Sequence, residues 1–322
     1  MRAVRFAQTG GPDVLALVEV DKPQPRPGQV LLRHEAIGIN FIDTYLRSGL
    51  YPTKLPSIPG GEAAGVVEAV GEGVSRFRVG DRVASASIAG AYADYSVVAA
   101  DRAVAIPAGV DARTAAAALL KGMTSEFLLR RLHRVGAGET LLIHAAAGGV
   151  GQIMVQWAKA LGAVVIATVG SEAKAARVRQ LGADHVILYR DQDVAAEVRR
   201  ITSGAGVPVA YDSVGKDTFE GTLGSLARRG LFVSFGNASG PPPPVEAGRL
   251  MRSGSLFFTR PTMVDYQATT AELDASAEAL FAMILSGKIQ IEIGQTFPLT
   301  EARRAHEALE GRATSGSSLL IP

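Results

Sequence analysis

The chain has 322 residues, 47% of them hydrophobic and 20% charged, with a formal net charge of +2 and no cysteine. That composition suits one large or two medium globular domains. It removes disulfides, thiolate zinc sites and cysteine nucleophiles together, and the scattered Lys and Arg form no dedicated nucleic-acid surface.

Residues 1 to about 120 carry short strand-like runs: "AVRFA", "VLALVEV", "QVLLRHEAIGI", "AAGVVEAVG", "DRVAS" and "DYSVVAA". Turn signals such as "GGP", "KPQPRPG", "GEGV" and "VGD" separate them, which reads as a β-rich, barrel-like domain. The first ten residues lack the apolar core of a signal peptide, and no apolar run approaches the ~20 residues of a membrane span. A cytoplasmic protein is the expectation.

From about 121 to 262 the texture becomes strand–helix–strand. "TLLIHAA", "AVVIATVG", "HVILY", "VPVAYDSVG", "GLFVSFGN" and "SLFFTRP" read as strands. "GVGQIMVQWAKALG", "SEAKAARVRQLG", 193–203 and 217–228 read as helices. Apolar strands alternating with helices predict a parallel, doubly wound sheet. "PPPP" at 241–244 predicts an exposed extended loop. Residues 263–322 add two amphipathic helices, "ELDASAEALFAMILSG" and "EARRAHEALEG", and a strand, "SSLLIP"; they read as a return to the first domain.

"TLLIHAAAGGVGQIMVQWAKALG" aligns on G-x-G-x-x-G with Ala146, Gly148 and Gly151 in the three places. Gly148 would admit a pyrophosphate, Gly151 would let helix and strand pack closely, and the helix N-terminus offers unpaired N–H groups. A tight strand–helix turn shaped by packing alone is the competing reading. The second strand ends in Gly170 and Ser171 with no carboxylate, and Lys174 follows one turn later. Ser171 would donate to a 2′-phosphate and Lys174 would neutralise it, which favours NADPH over NADH. Glu172 is the contrary sign, unless it complements the helix dipole. Tyr189, at the tip of the third strand, would bond to or pack on the ribose phosphate.

"GINFIDTYLRSGLYP" (38–52) sets Asn40, Asp43, Thr44, Tyr45, Arg47 and Tyr51 among apolar residues. It reads either as a capped structural helix start or as the floor of an active site. In the second reading Asn40 fixes the nicotinamide side. Tyr45 and Tyr51 wall the pocket, stack on a flat ring or donate to a developing oxyanion, and Asp43 anchors the turn or Thr124.

Together with "GGEAAGVVEAVGEGV", "GDRV", "LKGMT", "YDSVG", "RRGLFVSFGNASG" and "RATSGSSLLIP", these segments resemble bacterial NADPH:quinone oxidoreductases, the zinc-free quinone reductase branch of the medium-chain dehydrogenase/reductase superfamily. The resemblance runs from the first strand to the last. It implies an α/β fold in which a Rossmann NADPH-binding domain (123–262) is inserted in a GroES-like catalytic domain (1–122 and 263–322). It also implies a homodimer joined through the Rossmann domains and an active site in the interdomain cleft. Carried over position by position, the family's cofactor contacts fall first on Asn40, Phe41, Ile42, Asp43, Thr44 and Tyr45, then on Thr124 and Phe127. Gly148, Gly149, Val150, Gly170, Ser171, Lys174, Tyr189, Ser213 and Val214 follow. Gly236, Asn237, Ala238, Ser239, Thr259, Arg260, Pro261 and Arg312 complete the set. Asn40, Tyr45, Tyr51 and Thr124 are the candidate catalytic residues.

Zinc alcohol dehydrogenases of the superfamily place a cysteine ligand near Asn40. The five His residues (34, 133, 144, 185, 306) form no H-x-x-x-H pair; His34 reads as packed strand and His306 as exposed helix. Glu62 reads as structural. No metal is therefore expected. A quinone suits such a site, because hydride transfer then needs mainly proximity. Two alternatives stay open: an NADPH-dependent enone or alkenal reductase, and, as the resemblance also implies, a non-catalytic lens-type structural protein or binder of AU-rich RNA.

Overall fold

The computed structural model describes all residues, Met1–Pro322. The chain divides into two units, Met1–Met123 with Gln267–Ser286 and Gln290–Pro322, and Thr124–Tyr266 with Gly287–Ile289.

The first unit opens with an antiparallel pair, β1 (Arg2–Arg5) and β2 (Ala16–Glu19). Then come β3 (Gln29–Ile39), α1 (Phe41–Ser48), β4 (Glu62–Val70), β5 (Arg82–Ser85), β6 (Tyr95–Ala99) and β7 (Val104–Ala105). Helix α2 (Ala112–Phe127) carries the chain into the second unit.

The second unit holds β8 (Thr140–Ile143), α3 (Gly149–Ala160), β9 (Val164–Val169), α4 (Glu172–Gln180), β10 (His185–Leu188) and α5 (Val194–Ile201). It continues with β11 (Val207–Asp212), α6 (Phe219–Ser225), β12 (Leu226–Ser234), α7 (Ala247–Arg252) and β13 (Phe257–Thr259). The chain returns to the first unit through α8 (Thr270–Leu285), β14 (Ile293–Pro298), α9 (Ala302–Glu310) and β15 (Ser317–Ile321).

The sheet of the first unit runs β14-β15-β3-β4-β5-β7, with β6 also paired to β3. Its centre is β3, which is antiparallel to β4, β6 and β15. Leu32, Ile37, Ile39, Val67, Phe77, Tyr92 and Leu299 pack the core against it.

The second unit is a six-stranded parallel sheet in the order β10-β9-β8-β11-β12-β13. Counted from β8, that is the doubly wound order 3-2-1-4-5-6, in which the direction of winding reverses between β8 and β11. The α/β fold is thus a GroES-like unit and a Rossmann unit. No helix is long and apolar enough to cross a membrane.

Three sequence expectations need adjustment. The helix expected over 217–228 is α6, which stops at Ser225 because Leu226 already pairs with Val207 in the sheet. Helix α7, directly after the prolines, carries no apolar period and was not anticipated; it buries no side chain. His306 was expected on an exposed helix face, yet it is completely buried, because α9 turns Ala302, Ala305, His306 and Leu309 inward. Pro241–Pro244 lie outside regular secondary structure, as expected.

Candidate active site

Strand β3 ends at Ile39, and Asn40 stays extended (φ −134°, ψ 153°) as the residue before α1. Its N–H donates to Asp43 Oδ2 at 2.9 Å, so Asp43 closes the first turn from the third helical position. Gly49, left-handed at φ 85°, ends the helix. This helix inverts the usual pattern: Asp43 and Arg47 are buried while Ile42 is 42% exposed. The polar residues face inward because each finds a partner there.

Asn40 Nδ2 donates to Glu62 Oε2 (2.9 Å), and Glu62 also accepts from the Leu120 N–H (2.7 Å) and Lys121 Nζ (3.2 Å). Glu62 is fully buried and Lys121 nearly so. An isolated buried charge is costly, and the pairing with added hydrogen bonds is what permits both. Glu62 thereby anchors the Asn40 amide, the structural role expected of it.

A second network lies behind α1. Arg47 Nη1 and Nη2 grip Glu310 at 3.0 and 2.6 Å, and Nη1 also donates to His306 Nδ1 at 3.4 Å. That leaves His306 Nε2–H to donate to Tyr92 Oη (3.0 Å) and the Tyr92 hydroxyl to donate to Asp43 Oδ2 (3.1 Å). Burial, with Arg47 alongside, pushes the His306 imidazole down to about 3, so it stays neutral. Burial pushes the Asp43 carboxyl up to about 7, against the hydrogen bonds from Asn40 and Tyr92. Asp43 Oδ1 is buried with no hydrogen-bond partner, in keeping with a carboxyl that resists ionisation.

Tyr45 is buried, and its ring meets Tyr51 edge-on, centroids 5.3 Å apart at 68°. The Tyr51 N–H donates to the Tyr45 carbonyl at 3.1 Å, which fixes the pair. Phe41 stands 6.2 Å from Tyr45, ring to ring.

In the second unit the parallel sheet places all six strand carboxyl ends along one edge. Gly148–Val150, Gly170–Lys174, Tyr189, Ser213–Val214, Gly236–Ser239 and Thr259–Pro261 all follow those ends. Gly148 precedes α3, whose first-turn N–H groups have no carbonyl a turn earlier. A Cβ on Gly148 would press on the Ala145 carbonyl at 3.3 Å and meet no other atom within 4 Å. A Cβ on Gly151 would lie 2.4 Å from that carbonyl and 2.6 Å from Ala146 Cα, so only glycine lets α3 pack on the turn. Ala145 takes the left-handed conformation, φ 49°, at this turn.

At the end of β9, a Cβ on Gly170 would stand 2.7 Å from the Tyr189 hydroxyl and 3.4 Å from Arg190 Nε. Ser171 Oγ caps α4 by accepting from the Lys174 N–H (3.4 Å). Glu172 Oε1 accepts from Arg179 Nη1, which turns its charge along the helix. Ser213 and Val214 accept from the N–H groups of Ala238 (3.2 Å) and Ser239 (2.8 Å), and Arg260 Nη1 donates to the Gly236 carbonyl (3.1 Å). Phe127 stacks on Tyr266 at 4.5 Å, and Thr124 Oγ1 lies 3.8 Å from Met263 Sδ. Arg312 occupies a left-handed turn after α9 in the first unit.

Sequence reasoning missed Tyr92, Lys121 and Arg190. Lys121 carried a signal, a lone charge at the end of "AAAALL", which demands a buried partner. Tyr92 and Arg190 carried none, since their partners are distant in sequence or adjoin them only through the fold.

The zinc-binding dehydrogenase profile matches residues 149–280, and the alcohol dehydrogenase GroES-like profile matches residues 26–108. The residues present do not fit a zinc site: there is no cysteine, and no group of three or more His, Asp or Glu stands together to hold a metal. A quinone oxidoreductase of Pseudomonas aeruginosa is 51% identical over 100% of this chain and 99% of its own. A 2-haloacrylate reductase of a Burkholderia species is 45% identical over 97% of this chain and 96% of its own. The crystal structure of Escherichia coli quinone oxidoreductase complexed with NADPH superposes at a TM-score of 0.99, with 48% identity and full coverage of both chains.

Proposed function

The chain belongs to the quinone oxidoreductases of the medium-chain dehydrogenase/reductase superfamily, and from that premise we propose that it reduces quinones with NADPH and without a metal. What carries the reading is likeness over the whole length to quinone oxidoreductases, one of them with NADPH bound. Gly148 at the turn, the α3 N-terminus and the Gly170–Ser171 tip of β9, which has no carboxylate of its own, with Lys174 suit a phosphorylated dinucleotide.

NADPH supplies the hydride when bound, and a quinone that takes it with one proton becomes a hydroquinone. The chain's own residues position and protect. Gly148 spares the pyrophosphate a side chain and Gly149 and Val150 offer it their N–H groups, while Ser171, Lys174 and Tyr189 receive the 2′-phosphate. Asn40, held by Glu62, orients the nicotinamide carboxamide; Phe41–Tyr45 of the first unit, and Thr124 and Phe127 of the second, are taken as further cofactor contacts. Gly236–Ser239, Thr259–Pro261 and Arg312 complete the cofactor contacts. Tyr45 and Tyr51 wall the acceptor and donate to the oxygen that gains charge. We also assign a homodimer through the Rossmann unit: β13 is an edge strand, and Phe257 on it is 61% exposed.

Consumption of NADPH is followed with para-benzoquinone, beside NADH and beside an enone. Turnover with NADPH and quinone, weak with NADH, is expected. Tyr51→Phe should lower acceptor turnover several-fold while leaving NADPH affinity unchanged; an unchanged rate with several quinones removes Tyr51 from the chemistry. A second reading, reduction of an activated carbon–carbon double bond, is favoured by the likeness to a 2-haloacrylate reductase. Turnover with the enone alone would select it.

A further inference from the structure

Arg190 follows Tyr189 at the end of β10, and its Nε reaches within 3.4 Å of where a Cβ on Gly170 would be. The guanidinium is exposed and makes no hydrogen bond or ion pair within the chain, unlike Arg179, which pairs with Glu172.

 The carboxylates nearest in sequence are engaged elsewhere or absent from its contacts. Asp193 Oδ1 caps α5 by accepting from the Ala196 N–H (3.0 Å), and Glu172 is held by Arg179.

Beside Arg190, Ser171 Oγ accepts from the Lys174 backbone and keeps its own proton free to donate. Lys174 stands one turn into α4. Glycine at 170 lets the Tyr189 ring cross the end of β9, which brings Arg190 to the same tip.

We infer that Arg190 is a specificity-determining residue that binds the ribose 2′-phosphate of NADPH together with Ser171 and Lys174. The inference rests on the NADPH reading above. A phosphate dianion presents three acceptor oxygens, and a planar guanidinium fork meets two of them at once, which an ammonium cannot do. The corresponding hydroxyl of NADH offers no charge to the fork. Arg190 therefore raises selectivity and leaves the rest of the cofactor's binding alone.

Calorimetric titration of the wild type, Arg190→Gln and Lys174→Gln with NADPH, NADH and 2′,5′-ADP tests this. Arg190 is exposed, so the variant should fold normally. Arg190→Gln should weaken NADPH and 2′,5′-ADP by about tenfold, as loss of one charge-assisted contact does, with NADH unchanged. NADPH affinity within about twofold of wild type, or an equal loss for NADPH and NADH, overturns the role of Arg190. A wild type that binds NADH as tightly as NADPH overturns the cofactor reading itself, and the inference with it.

Discussion

The α1 stretch and the carboxyl edge of the parallel sheet are built on opposite principles. Around α1, polar and charged side chains are buried and bonded to one another: Glu62 with Lys121, Arg47 with Glu310, and Tyr92 with both Asp43 and His306. At the carboxyl edge the work falls to backbone groups, small residues and cations such as the half-buried Lys174 and the exposed Arg190. Buried charges hold a geometry firmly but leave a large penalty when one partner is lost. Open backbone and exposed cations cost little to keep and remain available to an anion. One region orients; the other receives.

The largest test of this contrast is Glu62→Gln. It leaves Lys121 buried without its counter-charge and should cost about 3 kcal/mol or more in urea unfolding. Adding Lys121→Met should restore much of the loss. A single variant within about 1 kcal/mol of wild type would show that the pair is not the buried anchor described.

Asp43→Asn comes next. The folded-state pKa of Asp43, about 7, lies above its unfolded value, so this carboxyl's contribution is full below about 4 and is lost as pH rises to about 7. His34 and His306, pushed down to about 4 and about 3, slope the other way and lose stability as pH falls below about 6.5. Asparagine stays neutral throughout. The unfolding free energy of Asp43→Asn in urea should therefore gain on wild type from pH 4 to 7, by on the order of 1.4 kcal/mol per pH unit at most, and level off above. A difference that does not change with pH would mean an ordinary, ionised Asp43.

The smallest effects separate two glycines of one turn. Gly151→Ala should cost about 1–3 kcal/mol, since the added methyl meets backbone at 2.4 Å. Gly148→Ala should cost less, about 1 kcal/mol or under, because its methyl meets only the Ala145 carbonyl, at 3.3 Å, yet it should weaken NADPH binding where Gly151→Ala acts mainly on stability. Calorimetric affinity beside thermal melts distinguishes the two; equal stability losses would blur the contrast.

The amino-acid order by itself determined the strand–helix alternation, because apolar strands and amphipathic helices declare their period locally. It also determined the Gly148–Gly151 turn, and the Gly170–Ser171 tip of β9 with no carboxylate of its own, because those depend on residues adjacent in the chain. The whole-length resemblance supplied the family.

Tertiary structure alone decided what the polar residues of 38–52 do. Asp43 meets Tyr92, 49 positions away, Tyr92 meets His306, 214 positions on, and Arg47 meets Glu310, 263 positions away. No local pattern encodes such pairings, and the same burial that hides His306 makes its helix look merely amphipathic. Arg190 was equally silent in the sequence. Only the parallel ordering of β9 and β10, with glycine at 170, brings its guanidinium to the tip where Ser171 and Lys174 wait.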